Sequence, residues 1–365
     1  MTTVYKLPGV VLILGDLVLP SSRIAPAFDG IADDGVLTHD WCVDSTEELM
    51  KRNLAVEKGG PEAVALDPGL DSVLAGHEDE VSAVVTHFSP ITRELLARLP
   101  NLRIIATVRA GVENIDTGCA ASHGTPVLNN PGRNANAVAE FTLGLMLAHL
   151  RGIAAAHHEV AGGKWRSFEE RSELVELSDK KIGLVGFGQV GRRLAQLLSG
   201  FGCEIVVHDP YLLEHPAEPV SVITLDELLA EADVVSLHAR VTPETHGLIG
   251  TRELALMRPS AILVNSARAE LVVESALVAA LRHGQIAGAA LDVFSSEPLP
   301  ADHPLRSCPH VTLTPHLAGS TQEAFTRGPY LLADRIRQLL SKQGLEWQSN
   351  AMDQHHRTVA PLALP

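Results

Sequence analysis

The chain has 365 residues, of which 45% are hydrophobic and 20% charged, and its formal net charge is −15. This length exceeds one average domain, so we expect two domains that each bury a core. The negative balance argues against binding to nucleic acid or to an anionic membrane, and no apolar run is long enough for a bilayer span or a signal peptide. The four cysteines lack C-x-x-C spacing and no metal-binding motif occurs, so we expect reduced thiols, a cytoplasmic protein and no metal site.

The first 130 residues alternate short apolar runs with polar turns, which predicts a small α/β domain with a parallel sheet. We predict helices at residues 46–51 and 92–99. The pattern is weak between residues 29 and 79, where the strand assignment rests on three residues alone. The predicted strands are residues 10–14, 41–43, 82–86, 102–107 and 127–128.

Residues 134–151 form the longest apolar helical stretch, and Asn134 or Asn136 can cap its start. Its apolar residues lie nearly all round, so we expect this helix to be buried between two domains. A polar segment follows at residues 162–179 and contains Trp165 and Phe168. Aromatic residues in polar surroundings favour a loop that lies on a partner subunit.

Residues 180–210 are the most informative stretch of the chain. A short apolar run at residues 182–185 predicts a buried strand, and residues 186–191 then fit the pattern G-x-G-x-x-G. Apolar residues recur at helical spacing up to Phe201, and a second apolar run at residues 205–207 ends near Asp209. This order of strand, glycine turn, helix, strand and acid is typical of a dinucleotide-binding unit.

Each glycine of this turn has its own predicted role. Gly186 permits a tight turn, Gly188 lets the backbone approach a pyrophosphate, and Gly191 lets the helix pack closely on the strand. The helix N-terminus offers N–H groups and a positive dipole end to the anion. Asp209 can accept hydrogen bonds from both ribose hydroxyls and would repel a 2′-phosphate, and no Arg or Lys follows at residues 210–212, so the sequence favours NAD over NADP. The alternative is a glycine turn that binds nothing.

The α/β rhythm continues to the last predicted strand. We expect the final helix, at residues 321–342, to return to the first domain. The other predicted helices are residues 225–230, 251–257 and 274–282. The predicted strands are residues 234–237, 261–264, 287–291 and 311–313.

Three polar residues follow successive predicted strands, at the sheet edge where ligands of open parallel sheets bind. Arg268 can hold a carboxylate through two hydrogen bonds. His316 can give a proton to a carbonyl oxygen or take it back, and Glu297 can orient that imidazole and favour its protonated form. Taken singly, they are more often a surface ion-pair residue, a structural histidine and a solvated carboxylate. Together on one rim they predict hydride transfer between a nicotinamide and a 2-oxo or 2-hydroxy acid.

Seven segments between about residues 82 and 340 carry a resemblance to a known family. They are GLVGFGQVG (183–191), SLHARVTPETHGLI (236–249), LVNSARAELVVESALVAAL (263–281), GAALDVFSSEPLP (288–300), LTPHLAGST (313–321), VRAGVENID (108–116) and PGRNANAVAEFTLGLMLA (131–148). With these segments the chain resembles the D-isomer-specific 2-hydroxyacid dehydrogenases, which include D-3-phosphoglycerate dehydrogenases and glyoxylate/hydroxypyruvate reductases.

The resemblance implies an α/β fold of two Rossmann-like domains with parallel sheets and a cleft between them. We expect a flavodoxin-like substrate domain at residues 1–145 plus 321–345, an NAD-binding Rossmann domain at 146–320 and a loose tail at 346–365. It also implies a homodimer built mainly around residues 140–180.

The resemblance also implies the residues that line the site. It assigns Arg268, Glu297 and His316 the catalytic roles argued above and places Asp292 near the nicotinamide amide. The expected substrate contacts are Arg109, Ala110, Gly111, Val112, Arg268 and His316. The expected NAD contacts are Gly186, Gly188, Gln189, Val190, Gly191, Asp209, His238, Ala239, Ser266, Ala267, Arg268, Asp292, His316 and Gly319.

Four departures from the family pattern matter. Many members have Gly where Ala269 stands, so a backbone with positive φ would be strained and we expect an altered turn at this residue. The segment at residues 108–116 is shorter than in many phosphoglycerate enzymes, and too little chain follows residue 342 for a regulatory domain. Glu297 replaces the Gln of formate dehydrogenases, which argues against formate. Arg109 and Arg133 can bind a phosphate or a second carboxylate, or can form structural ion pairs, and the sequence leaves both readings open.

We therefore predict an NAD-dependent oxidoreductase that acts on a small D-2-hydroxy acid or its 2-oxo form. The competing prediction is a non-catalytic NAD(H)-binding protein, similar to corepressors that keep this fold and work through partner contacts. The sequence contains no zinc finger, basic patch or peptide motif that supports the second role.

Overall fold

The computed structural model describes residues 6–165, 167, 174–212 and 220–347, with side chains as far as residue 341. These residues fold into two compact units. Residues up to 133 and from 322 onward form the first unit, and residues 134–321 form the second. Both are α/β units with an all-parallel sheet.

The first unit is built on a five-stranded sheet in the order β2-β1-β3-β4-β5, which is the flavodoxin-like order. The strands are β1 (Val10–Gly15), β2 (Val36–Asp40), β3 (Val81–Thr86), β4 (Ile104–Thr107) and β5 (Val127–Leu128). The helices are Ser21–Ile24, Thr46–Gly59, Gly69–Leu74, Arg93–Ala97, Thr117–Ser122 and Gln322–Trp347, with 3₁₀ turns at Ala25–Phe28 and Pro61–Ala63. Strands β1, β3 and β4 are wholly buried, as their largely apolar sequences predict.

The second strand is not where the sequence predicts it. The prediction at residues 41–43 is wrong, because β2 occupies Val36–Asp40 and pairs with β1 through Val36 to Asp40. This edge strand contains Thr, His and Asp and is only partly buried, so it lacks the continuous apolar run that marks its neighbours. Trp41 is buried directly after the strand, which explains its apolar signal.

The second unit is built on a seven-stranded sheet in the order β12-β11-β10-β9-β6-β7-β8. This is the doubly wound dinucleotide-binding order with one strand added at an edge. The strands are β6 (Lys181–Val185), β7 (Glu204–His208), β8 (Val220–Val222), β9 (Val234–Leu237), β10 (Ile262–Asn265), β11 (Gly288–Leu291) and β12 (Val311–Leu313). The helices are Ala135–Leu150, Ile153–Ala161, Gln189–Leu198, Leu225–Glu231, Thr251–Leu256 and Glu274–Arg282, with 3₁₀ turns at Ala269–Leu271 and Pro304–Ser307.

The long apolar helix Ala135–Leu150 belongs to the second unit, so the chain divides at residue 133 and not at residue 145. Its residues Leu145 and Met146 join the core cluster that covers one face of the seven-stranded sheet. Asn134 is its N-cap but makes no side-chain capping bond, and Asn136 lies inside the helix, where its amide donates to Glu140.

The helix Gln322–Trp347 packs on the core of the first unit. Leu332, Ala333, Ile336 and Leu340 lie in the same cluster as the β1 residues Val11 and Ile13. Arg335 donates to the carbonyl oxygens of Asn129 and Pro131 and so ties this helix to the segment after β5.

Two sequence predictions concern chain that is only partly described. Phe168 and most of the tail predicted at residues 346–365 lie outside the described residues. Among the residues that the structure describes, no single helix is long and apolar enough to cross a membrane. The helices Ala135–Leu150 and Ile153–Ala161, which are bent relative to each other, reach the necessary length and apolar composition only when they are taken together.

Candidate active site

The glycine turn after β6 has the geometry that its sequence pattern predicts. Gly186 has φ +97°, and a Cβ there would lie 2.6 Å from the backbone nitrogen of Ala239. A Cβ on Gly191 would collide with the carbonyl oxygen of Gly186, so the helix Gln189–Leu198 packs tightly on the turn. At Gly188 a Cβ would meet nothing within 4 Å, which leaves the backbone open on that side.

Asp209 lies beside this turn at the end of β7. Its Oδ2 accepts the N–H of Phe187 at 2.7 Å, and its Oδ1 accepts the N–H of Tyr211 at 3.0 Å. Each carboxylate oxygen keeps a second lone pair, so the side chain is fixed and can still accept from ribose hydroxyls. The open backbone at Gly188, the helix N-terminus and this acceptor together fit a dinucleotide.

Arg192 was not singled out from the sequence. It is exposed, one residue after Gly191, and its guanidinium lies 4.9 Å from the centre of the Phe187 ring. This places a cation beside the glycine turn, on the side of the turn where Phe187 lies. Its position directly after the third glycine is the only sequence signal for it.

The carboxyl ends of β9 to β12 bring the other candidate residues to one edge of the sheet. His238 and Ala239 follow β9, Ser266 to Arg268 follow β10, Asp292 follows β11, and His316 and Gly319 follow β12. Because all four strands are parallel neighbours, these residues share an edge with the glycine turn after β6.

The turn after β10 is shaped by Asn265, which the sequence did not single out. Its amide donates to the carbonyl oxygen of Arg268 at 2.9 Å and its Oδ1 accepts the N–H of Ala267 at 3.0 Å. Ala269 has no positive φ and begins the 3₁₀ turn Ala269–Leu271. An alanine therefore fits this backbone without strain.

Glu297 and His316 form a hydrogen-bonded pair. Oε2 of Glu297 lies 2.8 Å from Nδ1 of His316, and Oε1 of Glu297 accepts the N–H of Phe294 at 3.0 Å. With Nδ1 engaged, Nε2 is the ring nitrogen left for a substrate. The imidazole is about half exposed, and His316 has φ +55°, which is uncommon for a residue other than glycine.

The pair shifts the proton equilibria of both side chains. The hydrogen bond from Glu297 is the largest influence on His316 and raises its pKa, against burial, which lowers it. Burial alone would raise the pKa of Glu297, but the hydrogen bond and charge of His316 outweigh it and lower that pKa. The imidazole therefore stays protonated to a higher pH than a free histidine would.

Arg268 lies close enough to this pair for its charge to affect the pKa of both groups. Its charge lowers the pKa of Glu297 and of His316. The side chain is exposed, and its described hydrogen bond goes from Nη1 to the carbonyl oxygen of Ala267 at 2.8 Å. Its other guanidinium N–H groups can therefore hold a carboxylate.

Asp292 is fully buried and holds the loop that carries His316. Its Oδ1 accepts from the Thr314 hydroxyl at 2.7 Å and the Leu317 N–H at 2.9 Å, and its Oδ2 accepts the Ala318 N–H at 2.8 Å. The resemblance implies a contact of Asp292 with a nicotinamide amide, and the described bonds of this carboxylate are all to the loop after β12.

The remaining predicted cofactor contacts lie around this edge. Burial lowers the pKa of His238 to about 4, and its Nε2 lies 2.9 Å from the Ser236 hydroxyl. The Ser266 hydroxyl lies 2.6 Å from that of Thr142, and a Cβ on Gly319 would lie 2.5 Å from the Asn134 amide nitrogen. Gln189 and Val190 begin the helix after the glycine turn.

In the first unit, the structure separates the two arginines that the sequence treated alike. Arg109 donates to Glu57 at 2.6 Å and to Asn53 at 3.3 Å, so it forms a structural ion pair. Among the described residues, no carboxylate lies within 4 Å of Arg133. Its guanidinium lies 5.6 Å from the Phe325 ring, and burial, with Arg109 as the second cause, lowers its pKa to about 10.

The predicted backbone contacts at Ala110, Gly111 and Val112 follow β4 at the carboxyl edge of the first sheet. The Ala110 carbonyl accepts from the Asn129 amide, and the Val112 carbonyl accepts the Ile115 N–H. No N–H of these three residues makes a hydrogen bond to any other residue that the structure describes, so these donors can serve an anion.

A buried acid–histidine pair in the first unit was missed from the sequence. Asp16 follows β1, His87 follows β3, and Oδ2 of Asp16 lies 2.8 Å from Nδ1 of His87, with both side chains fully buried. Burial, Arg133 and Arg109 together outweigh the Asp16 contact and lower the pKa of His87. Their place after two neighbouring strands was the available signal.

Comparison with known proteins places this architecture in context. A family model described as D-isomer specific 2-hydroxyacid dehydrogenase, NAD binding domain, matches residues 143–318. The D-3-phosphoglycerate dehydrogenase of Methanocaldococcus jannaschii is 36% identical over 288 residues, which cover 78% of this chain and 54% of that protein. The glyoxylate reductase of Aeropyrum pernix is 40% identical over 250 residues, which cover 67% of this chain and 75% of that protein.

A solved structure is similar to this chain over nearly its whole length. The TT0316 protein from Thermus thermophilus is similar with a TM-score of 0.69 and 30% sequence identity, covering 92% of this chain and 97% of that one. The chain spans about half the length of the first curated relatives it matches, at 54% and 52%.

Proposed function

We propose that this chain, which belongs to the family of D-isomer specific 2-hydroxyacid dehydrogenases, is an NAD-dependent oxidoreductase of a small D-2-hydroxy acid or its 2-oxo form. The observation that carries the proposal is the Glu297–His316 pair, with Arg268 beside it, on the same sheet edge as the Gly186 turn. An acid–base group, a carboxylate-binding cation and a dinucleotide turn are the three parts that this reaction needs.

Arg268, His316 and Glu297 each have a separate role in the proposed reaction. NAD, when bound, supplies or accepts the hydride at its nicotinamide ring. Arg268 binds the substrate carboxylate through its free guanidinium N–H groups. His316 gives the proton on Nε2 to the carbonyl oxygen during reduction and takes it back during oxidation. Glu297 holds Nδ1, which orients the ring and stabilises the imidazolium until the proton is transferred.

Asp209 supports a preference for NAD. Its carboxylate is fixed by the N–H groups of Phe187 and Tyr211 and presents negative charge where a 2′-phosphate would lie. Arg192 lies beside the same turn and can contribute a positive charge toward the pyrophosphate. We expect NADH to be used at least about tenfold better than NADPH, as a fixed like charge implies.

The substrate class is a proposal at the level of a small 2-oxo or 2-hydroxy acid. Ala110, Gly111 and Val112 offer backbone N–H groups to its anionic end. Arg133, which has no described carboxylate partner, is the better candidate of the two arginines for a second anionic group, such as a phosphate. Arg109 is already paired with Glu57.

The test is NADH oxidation against a panel of 2-oxo acids with NADPH in parallel. The panel contains glyoxylate, hydroxypyruvate, pyruvate, phenylpyruvate and a phosphorylated 2-oxo acid. Turnover with one class, lost in His316→Ala, supports the proposal, and a preference for NADPH contradicts the argument from Asp209. Tight NADH binding without turnover of any panel member would favour a non-catalytic NAD(H)-binding protein instead.

We also propose a cytoplasmic homodimer. All four cysteines are unpaired, which supports a reducing compartment. The helix Ile153–Ala161 exposes Ile153 and Val160 by more than half, and Trp165, just beyond it, is 77% exposed. A second copy would cover this apolar surface. Light scattering should give twice the chain mass, and Ile153→Asp should shift the mass toward the monomer; a monomeric parent protein would contradict the dimer.

A further inference from the structure

Glu297 lies in the loop between β11 and β12, and one carboxylate outside that loop binds it at two points. Oε1 and Oε2 of Glu274 each lie 2.9 Å from the Ser295 hydroxyl, and Oε2 lies 3.4 Å from the Ser295 N–H. Oε1 also lies 3.0 Å from Nε2 of His303. Ser295 precedes Glu297 in the chain and His303 follows it, so these two anchor residues hold the loop on both sides of Glu297.

The His303 contact has a defined donor. Nδ1 of His303 accepts the N–H of Leu305 at 3.3 Å, so the proton lies on Nε2 and is donated to Glu274. The His303 side chain is 12% exposed and that of Glu274 is 27% exposed, so neither group is freely solvated. His303 also begins the 3₁₀ turn Pro304–Ser307, which leads to β12 and then to His316.

The Ser295 contact lies next to a bond that Glu297 itself makes. Ser295 follows Phe294, whose N–H donates to Oε1 of Glu297. Holding Ser295 therefore restrains the backbone next to the Phe294 N–H, which binds the Glu297 carboxylate that faces Nδ1 of His316. Glu274 reaches the His316 pair only through this loop, because its own described contacts stop at Ser295 and His303.

Glu274 is well placed to serve as a fixed anchor. It is the first residue of the helix Glu274–Arg282, where the helix dipole favours a carboxylate. Leu277 and Leu281 of that helix are buried in the core cluster of the second unit, so the backbone beneath the carboxylate is held by packing.

We propose that Glu274 is a positioning residue of the active site, which holds the loop 294–303 so that Glu297 stays against His316. The inference rests on the proposed function for the catalytic role of the Glu297–His316 pair, whereas the geometry of the pair is independent of that function. Without the Glu274 carboxylate the loop is released from both anchors, Glu297 moves away from the imidazole, and His316 releases its proton at a lower pH.

The test is a titration of His316 by NMR in the full chain, with His316→Asn to assign its resonance. We expect Glu274→Ala to lower the pKa of His316 by about one pH unit, the smaller end of the range for losing a nearby opposite charge. Glu274→Gln should recover most of that loss, since its amide oxygen can still accept from Ser295 or His303. Ser295→Ala and His303→Ala each remove one anchor and should give a smaller decrease of the same sign.

The matched control is Glu227→Ala. Glu227 is also a carboxylate in the first turn of a helix of the second unit, and its bonds are to its own N-cap, Thr224. A purely structural Glu274 would lower the melting temperature as this control does and leave the His316 titration unchanged, which would overturn the proposal. If Glu274→Ala does not fold, an unchanged titration in both Ser295→Ala and His303→Ala would overturn it as well.

Activity measured in parallel separates this inference from the proposed function. If the parent protein reduces a 2-oxo acid, the high-pH decline of kcat should move to lower pH by the same amount in Glu274→Ala. If the parent protein reduces none of the panel, the proposed function fails, while the NMR titration still decides whether Glu274 positions the pair.

Discussion

At the scale of single residues, the Glu297–His316 pair would set, in the proposed reaction, the pH range in which the imidazole donates a proton. Reduction needs the protonated imidazole, and Glu297 raises the pKa of His316, so proton donation extends to higher pH than a free histidine allows. Oxidation needs the neutral imidazole and should be favoured above that raised pKa. If the proposed function holds, the same contact should favour reduction near neutral pH and oxidation at alkaline pH.

Replacing Glu297 tests this directly. Glu297→Gln keeps a hydrogen-bond acceptor at Nδ1 but removes the charge, so we expect the pKa of His316 to fall. The high-pH decline of kcat/KM for reduction should then move down by about one pH unit. The measurement is a pH–rate profile with saturating NADH and the best 2-oxo acid of the panel.

Arg268→Met provides a control of opposite sign. Its guanidinium lowers the pKa of His316, so its removal should move the same decline to higher pH, while KM rises because the carboxylate loses its partner. If the two variants moved the decline in the same direction, the electrostatic account of this pair would be wrong.

Sequence reasoning at this scale identified residues that follow strands and missed residues that act through distant contacts. Arg268, Glu297 and His316 could be selected because parallel strands bring their carboxyl ends together. Glu274 carries no such signal, since its contacts to Ser295 and His303 are distant in the chain, and Asn265 acts through bonds within its own turn. The Asp16–His87 pair does follow two neighbouring strands, and that signal was not used. Helix position alone would class Glu274 as an ordinary N-terminal carboxylate.

At the scale of elements, apolar strands were predictable and polar edge strands were not. The buried strands β1, β3, β6 and β9 are unbroken or nearly unbroken apolar runs, whereas the edge strand β2 has two apolar residues followed by three polar ones. The helix Ala135–Leu150 was located correctly but divided between domains, because periodicity shows which residues are apolar and not which sheet they cover. Contacts of that kind need the tertiary structure.

The glycine turn offers a prediction that separates folding from binding. Gly186→Ala places a Cβ 2.6 Å from the Ala239 nitrogen on a backbone of φ +97°, so it should destabilise the second unit by about 2 to 4 kcal/mol. Gly188→Ala meets nothing within 4 Å and should leave stability nearly unchanged, yet it should weaken NADH binding because its methyl group lies where the pyrophosphate approaches. Urea unfolding and NADH fluorescence titration measure the two effects.

Two results would contradict these expectations. A stable Gly188→Ala protein that binds NADH as well as the parent would show that the open side of the turn is not where the cofactor lies. Equal loss of stability in both variants would contradict the assignment of Gly186 as the residue that needs a positive φ.

At the scale of the whole molecule, both units contain buried histidines whose pKa is lowered. Burial lowers the pKa of His149, with His310 as the second cause, to about 4, and burial lowers that of His238 to about 4. In the first unit, burial is the largest of the influences that lower the pKa of His87. An unfolded chain binds protons at such residues below about pH 6.5, and the folded chain does not.

Stability should therefore fall as the pH decreases from about 6.5 toward 4, and the loss should begin well above the range in which carboxylates are protonated. We expect His149→Gln to reduce this loss between pH 7.5 and pH 4.5 by about 2 kcal/mol, because the unfolded variant gains no proton at that residue. Thr312→Val removes the hydroxyl that lies 2.9 Å from Nδ1 of His149 but keeps the titrating ring, so it should lower stability at both pH values and leave the difference between them intact. Guanidinium unfolding of the second unit at the two pH values measures the difference, and a loss in His149→Gln as large as in the parent protein would assign the acid sensitivity to other groups.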